Sequence, residues 1–402
     1  MTSHADSNRP PLLLALSGGG YRAVLFHVGA LWRLNEIGEL RALTHVSSVS
    51  GGSIVAGILA ARWDQLAFDS SGIARRFGEQ IVEPLLRLTD HSLDWPAILL
   101  GVLPFASAAG VIARSYRRHL VGDKTIGDLP VRPKFVFNAT NLQTGAGWSF
   151  EREGMGDSSV GFVRDGSVPI ATAIAASSAF PPFLSPLKLS LGRAGWEPPR
   201  QSSWMTPYSD LALQVRPIPR DKLQGFRKRV YLIDGGVADN LGLAALWKTE
   251  GELLISDGGA VSAHCVSPHM NWVGQLRRVL SLIHDQPSRL RADTAISRFA
   301  EHDQRGTKSV TQSPRGDGAY WKMHWPPESH TDVPVVALDE AKIRKLSEIP
   351  TRLLAMNEDT KLRLINWGYV AANRSLPYLA RLWLPRGASV FKEELPYRAA
   401  GF

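Results

Sequence analysis

The stretch "LTHVSSVSGGSIVAG", residues 43–57, sets a β-branched run against an apolar run rich in small residues, with two glycines at the joint. The first half reads as a short buried strand. The second reads as the start of a helix that continues through "ILAARWDQL" (58–66). The chain just upstream repeats this grammar. "PLLLALS" (11–17) is an apolar run bounded by proline and glycine, as in a buried parallel strand. After it, "YRAVLFHVGALWRLNEIGEL" (21–40) places Val24, Val28, Leu31 and Leu34 at helical spacing. Strand, helix, strand, helix is the α/β pattern, with ligand sites at the carboxyl ends of the strands.

Further strands are predicted at "KFVFNATNL" (134–142), "RVYLIDGG" (229–236) and "GELLISDGG" (251–259), with "LGLAALWK" (241–248) as a short crossover helix. Beyond residue 265, "NWVGQLRRVLSLI" (271–283) and "PTRLLAMNEDTKLRLINWGYVAANRSL" (350–376) read as helices. The expected fold is a three-layer α/β/α sandwich with a mostly parallel central sheet and a C-terminal helical annex. One domain is expected over residues 10–385, with the sheet core at about 10–260 and the annex at about 265–385.

The 402 residues carry a formal charge of +9. That suits an anionic partner, either nucleic acid or a phospholipid surface. The one cysteine, Cys265, excludes a disulfide framework. The first apolar run flows straight into glycines, so it reads as a strand and not as a signal peptide. Between Trp95 and Ala113, "WPAILLGVLPFASAAGVIA" is uncharged over 19 residues and is followed by Arg114, Arg117 and Arg118. Three readings compete for it: a membrane span, a core hairpin, and an apolar rim facing a membrane.

Two glycine-rich joints carry the chemistry. In "SGGGYRA" (17–23), Gly18, Gly20 and Ala23 fit the dinucleotide fingerprint G-x-G-x-x-[GA]. The acidic residue which that reading needs at the end of the second strand is replaced by Ser47, Ser48 and Ser50. Three glycines opening a helix serve equally to present backbone N–H groups, with the helix dipole behind them, as an oxyanion hole. Arg22 in the first turn would add positive charge. Among the four serines of the second joint, only Ser50 has a small residue two places before it and glycine two places after it, the spacing of a nucleophile elbow. A serine needs a base. No histidine stands in a recognisable triad context. Asp234 and Asp257 each end an apolar strand before two glycines, so either could be the proton acceptor.

Together these pieces resemble the patatin-like phospholipases. "GGGYRA" resembles the family's oxyanion loop, with Ala23 in place of the last glycine. "SVSGG" resembles its elbow, with Ser48 in place of the first. "DGGVADN" resembles its D-G-[GA] motif with the Asn that follows. "FNATNLQTG" (137–145) and "IATAIAASSAFPPFLSPL" (170–187) resemble the blocks between, in the same order. "RVLSLIHDQPSRLR" (278–291), "GAYWKM" (318–323) and "RLINWGYVAAN" (363–373) resemble a bacterial branch of the family.

The resemblance implies a lipid acyl hydrolase of phospholipase A type, working through a serine–aspartate dyad and an acyl-enzyme. Ser50 is then the nucleophile and Asp234, selected over Asp257 by the downstream Asn, the base. Gly18, Gly19 and Gly20 become the oxyanion donors, with Arg22 beside the substrate. The expected partners are a phospholipid or other acyl-lipid substrate and a peripheral membrane surface, with no nucleic acid and an activator left open. No cofactor and no metal are expected, and the expected location is cytoplasmic, at the inner face of the membrane. The alternative is a catalytically weak lipid-binding or effector protein of the same fold.

Overall fold

The computed structural model describes residues 9–94, 107–181, 184–198, 218–259, 265–267, 271–305, 318–324, 339–376 and 394–401. The first motif forms β1 (Leu12–Leu16) and α1 (Gly20–Glu36). The second forms β2 (Leu43–Val49) and α2 (Gly51–Ala61). The next strand, β3, is Lys134–Asn141. Then come β4 (Gly147–Glu151), β5 (Gly154–Asp157), β6 (Gly161–Val163), β7 (Leu187–Ser190) and β8 (Trp196–Glu197). Later in the chain lie β9 (Arg229–Asp234), β10 (Glu252–Asp257) and β11 (Gly318–Lys322). All join one mixed sheet, with the path β11-β10-β1-β2-β3-β4-β5-β6-β8.

The half from β11 to β3 is parallel throughout. The half from β3 to β8 is antiparallel. Chain length explains the switch, because a parallel neighbour requires a crossover of about a dozen residues or more. Arg152 and Glu153 alone separate β4 from β5, so that pair can only be a hairpin.

The strand β9 differs from the expectation in a way that shapes the site. It runs antiparallel to β3, with Asp234 opposite Ala139 and Leu232 opposite Asn141. The other edge of β3 is occupied by β4 over the same residues, so β9 lies on the β2 side. There β2 runs parallel and stops with Val49 opposite Asn138. The carboxyl ends of β2 and β9 therefore meet head to head on adjacent residues of β3.

Alternate residues of β1 enter two cores. Leu12, Leu14 and Leu16 pack with α1 and α2, and Leu13 and Ala15 pack on the opposite face. That second face is covered by Leu241, Leu243, Leu246 and Trp247, and by Ala292 and Ala295 from the C-terminal region. The crossover helix expected at 241–248 is a series of turns, broken at Gly242 with φ 69°. The helical turn comes earlier, at Gly236–Asp239.

Three more helices complete the layers around the site: α3 (Ala108–Tyr116), α4 (Ile170–Ser177) and α5 (Gly236–Asp239). The long α6 spans Trp272–Arg305, and α7 spans Glu358–Ser375. The helical pattern expected from 350 begins late, because the Asn357 side chain caps α7 by accepting the Thr360 N–H at 2.8 Å. Residues 350–356 instead form a strap outside any helix. The region expected as an annex supplies both β11 to the sheet edge and α7 to the first core. Of the 95–113 segment, residues 95–106 lie outside the described residues. Its remainder contributes Ala108, Ala109 and Ile112 to the core, all on α3. Among the described residues no helix is long and apolar enough to cross a membrane.

The contact between α1 and α7 is backbone against backbone. A Cβ on Gly29 would lie 1.9 Å from the Ile365 carbonyl oxygen, and one on Gly368 would lie 1.9 Å from that of Phe26. Neither helix can yield as a side chain would. Gly29→Ala and Gly368→Ala are each expected to cost about 3 kcal/mol or more, at the upper end of overpacking penalties. Gly78→Ala, where nothing lies within 4 Å, is expected to be neutral or slightly stabilising. Denaturant midpoints of the three variants check this.

Candidate active site

Ser50 links β2 to α2 at φ 50° and ψ −117°, a region L-residues seldom adopt. Such strain costs on the order of 1–3 kcal/mol, and it persists only where surroundings over-determine it. Here they do. The Ser50 N–H donates to Ser177 Oγ at 2.9 Å, and its carbonyl accepts the N–H groups of Ser53 and Ile54. Gly52 donates to the Ser17 carbonyl at 3.1 Å, and a Cβ there would strike the Leu16 carbonyl at 2.4 Å. The elbow is thus pressed into the end of β1, where only glycine fits.

The other three serines of this joint are fully buried and fully engaged. Ser47 Oγ donates to the Gly242 carbonyl at 2.6 Å. Ser48 Oγ donates to the Val136 carbonyl at 3.2 Å and accepts from Ser53 Oγ. The hydroxyl that replaces the usual elbow glycine therefore has its own partners. Ser50 retains 8% exposure.

The head-to-head strand ends bring Asp234 to Ser50. The Asp234 N–H donates to the Ala179 carbonyl at 2.9 Å, and Oδ1 accepts the Gly236 N–H at 2.7 Å. Oδ2 is buried and has no partner at full hydrogen-bond geometry among the described residues. Burial pushes the carboxyl up to about 6, against the opposing effects of the Ser50 hydroxyl and the Gly236 N–H. A loosely held hydroxyl–carboxylate contact is usual in a site without substrate.

Asp257, the other candidate, ends β10, which pairs with β1 and β11 and not with β2. Its carboxylate accepts the Gly259 N–H at 2.9 Å and the Tyr320 hydroxyl at 2.8 Å.

The glycine turn lies against the elbow. A Cβ on Gly18 would come within 3.2 Å of Ser50 Cβ and 2.4 Å of Asn240 Oδ1. One on Gly51 would lie 2.5 Å from the Gly20 carbonyl oxygen. Gly19 and Gly20 have φ of 147° and 61°, in the region glycine favours. The Gly18 N–H is spent on the Asn240 carbonyl at 3.0 Å. Two of the three expected donors, Gly19 and Gly20, remain at the helix N-terminus, where the first N–H groups have no intrahelical acceptor.

Arg22 has other employment than the one expected. It is wholly buried, with Nη1 on the Ile349 carbonyl, Nη2 on Thr351 Oγ1 at 3.1 Å and Nε on the Gly258 carbonyl at 3.3 Å. Burial lowers its pKa to about 10, partly offset by Asp257, so it stays charged at neutral pH. It ties the glycine turn to Ile349 and, through Thr351, to the 350–356 strap. That strap is anchored in turn by Asp94, which takes Arg352 Nε at 2.6 Å and the Leu353 N–H at 3.2 Å. The Arg352 carbonyl accepts the Tyr21 N–H at 3.1 Å. Asp94 and Arg352 carry no motif in the chain, and Ser177 lies in the 170–187 block with no local sign of the partners it meets.

The matched family model is that of the patatin-like phospholipases, over residues 14–247. The chain belongs to that family. The span runs from β1 past β9, so it holds both glycine joints and both strand ends described above. No curated protein matches the chain. Among solved structures, human GIVD cytosolic phospholipase A2 with methyl gamma-linolenyl fluorophosphonate is similar at 14% identity and TM-score 0.49, covering 92% of this chain and 58% of that one. VipD from Legionella pneumophila is similar at 15% identity and TM-score 0.35, covering 90% of this chain and 66% of that one. This chain therefore spans less than two thirds of the length of either structure.

If Arg22 serves as a tie, Arg22→Gln lowers folding stability by about 2 kcal/mol or more, the cost of leaving buried carbonyls unpaired. A residue reserved for substrate would leave the melting temperature unchanged. Thermal denaturation without any lipid present distinguishes the two.

Proposed function

We propose that the protein hydrolyses acyl esters of phospholipids or related lipids, with Ser50 as nucleophile and Asp234 as general base. The observation that carries this is the head-to-head meeting of β2 and β9, which sets a strained serine against a buried carboxylate whose Oδ2 has no partner at full hydrogen-bond geometry among the described residues. Family membership supports the substrate class. Phe180 and Val237 add to that support. Val237 lies three residues past Asp234, and Phe180 follows the Ala179 whose carbonyl accepts the Asp234 N–H; they expose 52% and 43% of their surface, an apolar rim for an acyl chain. We further propose one hydrolase domain over residues 10–385, supported by the strand and helix that the C-terminal region gives to the common sheet and core. A peripheral membrane surface, approached from the cytoplasmic side, is the proposed setting.

In the first half-reaction Ser50 Oγ attacks the ester carbonyl carbon while its proton passes to Asp234. The carbonyl oxygen becomes an oxyanion facing the N–H groups of Gly19 and Gly20, at the positive end of α1. The C–O bond then breaks, and the alcohol leaves with the proton from Asp234. In the second half Asp234 takes a proton from water, the hydroxide attacks the acyl-enzyme, and the free acid departs as Ser50 recovers its proton. An ordinary aspartate is a weak base for this task. Desolvation strengthens it, and its value near 6 leaves it mostly deprotonated at neutral pH.

Purified protein should turn over a p-nitrophenyl ester, and Ser50→Ala should abolish this while remaining folded. Asp234→Asn keeps the shape without the basicity, and should lose about a thousandfold or more in kcat. Turnover by Ser50→Ala at the wild-type rate would remove the nucleophile assignment.

The raised carboxyl gives a separate expectation for pH. Asp234 works only when deprotonated, so kcat/KM should fall tenfold per unit below about pH 6. An ordinary aspartate would hold the rate down to about pH 4. A rate profile from pH 4 to 8 on a soluble ester reads the difference.

A further inference from the structure

We propose that the end of α4 is a brace that sets the spacing of nucleophile and base, with Ser177 as a positioning residue; this rests on the Ser50–Asp234 reading above. Three bonds from this one short piece of chain reach both partners. Ser177 Oγ accepts the Ser50 N–H at 2.9 Å. The Ser177 carbonyl accepts the Gly235 N–H at 3.1 Å, and the Ala179 carbonyl accepts the Asp234 N–H at 2.9 Å.

The hydroxyl is held in turn. It donates to the Asn138 carbonyl at 2.5 Å and meets Ser53 Oγ at 2.8 Å. Asn138 is the β3 residue opposite Val49, beside the Ala139 that faces Asp234. The brace therefore spans the point where β2 and β9 meet, and β3 backs it. β2 and β9 share no ladder of their own, since each pairs separately with β3. Their separation is left to whatever bridges them, and the end of α4 does so.

The direction of each bond matters. Ser50 at positive φ turns its N–H away from any strand partner, so a side-chain acceptor must come to it. Alanine at 177 would remove that acceptor and leave the elbow free to relax toward ordinary backbone angles. The Ser50 hydroxyl would then drift from Asp234 while the substrate cleft stayed in place. The neighbouring Ser178 is an internal comparison. Its hydroxyl is also buried, but it bonds the Ile174 carbonyl and the Tyr116 hydroxyl, and neither Ser50 nor Asp234.

The test measures kcat, KM and denaturation midpoint for Ser177→Ala, Ser178→Ala and Ser50→Ala on a soluble p-nitrophenyl ester. Ser177→Ala should lose about ten- to a hundredfold in kcat, the usual penalty for a misplacement near 1 Å, with KM within twofold. Ser178→Ala should keep kcat within twofold at a similar midpoint. A Ser177→Ala variant at wild-type kcat, or one matched in its loss by Ser178→Ala, overturns the brace. Should Ser177→Ala fail to fold, Ser177→Cys decides. The thiol fills the site but accepts hydrogen bonds weakly, so a tenfold loss in kcat supports the brace and wild-type kcat overturns it. If wild type lacks turnover, or Ser50→Ala keeps it, the hydrolase reading itself has failed. If Ser50→Ala is dead and Ser177→Ala normal, only the brace has.

Discussion

The constraint on which the site depends is the shared edge of β3. One stretch of five residues pairs with β2 in parallel, and the next three pair with β9 in the opposite sense. Two strand ends arriving from opposite directions leave no room for a continuous ladder, so the chain must turn out of the sheet at both. On the β2 side it turns at Ser50 and on the β9 side at Gly235. Each turn releases backbone groups from the sheet, and the end of α4 receives them. The unusual φ at Ser50 thus belongs to the sheet's topology, since a chain leaving β2 here has to clear the oncoming β9.

The second constraint is crowding at the helix starts. α1 and α2 both begin at this edge, and their first turns touch through Gly20 and Gly51. Two helix N-termini side by side concentrate positive potential in one small volume. That would be costly without an anion, and the protein supplies the buried Asp234 at the end of β9 and the half-buried Asp257 at the end of β10. Close approach of the two dipoles is possible only because side chains are absent at the contact. The glycines are needed for packing first, and the electrostatic consequence follows from it.

Much of this was legible before any coordinates. The two strand–glycine–helix joints announced themselves by composition, and β1, β2, β3, β9 and β10 fall within a few residues of their expected places. Ser50 separated from its neighbours by spacing alone. The choice between Asp234 and Asp257 was legible only through the family resemblance and its downstream Asn, because both end an apolar strand before two glycines. What separates them in the fold is which neighbour each strand chooses and in which direction it runs, and pairing of that kind depends on chain more than ninety residues away. Arg22 misled for a related reason. A cation in the first turn of a helix looks available, and nothing local reveals that residues 349–351 will cover it. The strap at 350–356 has an apolar, helical look, yet the cap at Asn357 and the pull of Asp94 hold it outside any helix.

The state of Asp234 shows what the arrangement demands of the rest of the molecule. Lifting a carboxyl from 3.8 to about 6 by burial disfavours its charged form by about 3 kcal/mol at neutral pH. Because the folded value is raised, folding is easiest below the unfolded value and loses this amount as pH climbs through 6. The strain at Ser50 adds to the cost. Both penalties sit at one sheet edge, so the neighbouring elements must be stiff enough not to relax them away. The backbone contact of α1 with α7 behind the glycine turn, and the serine network under the elbow, are rigid for different reasons: one by steric exclusion, the other by saturated hydrogen bonding. A looser core would let water reach the carboxylate and bring its pKa back toward the ordinary range. Stability spent at the edge and packing density behind it are therefore two sides of the same requirement, which is a dry carboxylate held against a hydroxyl before any substrate arrives.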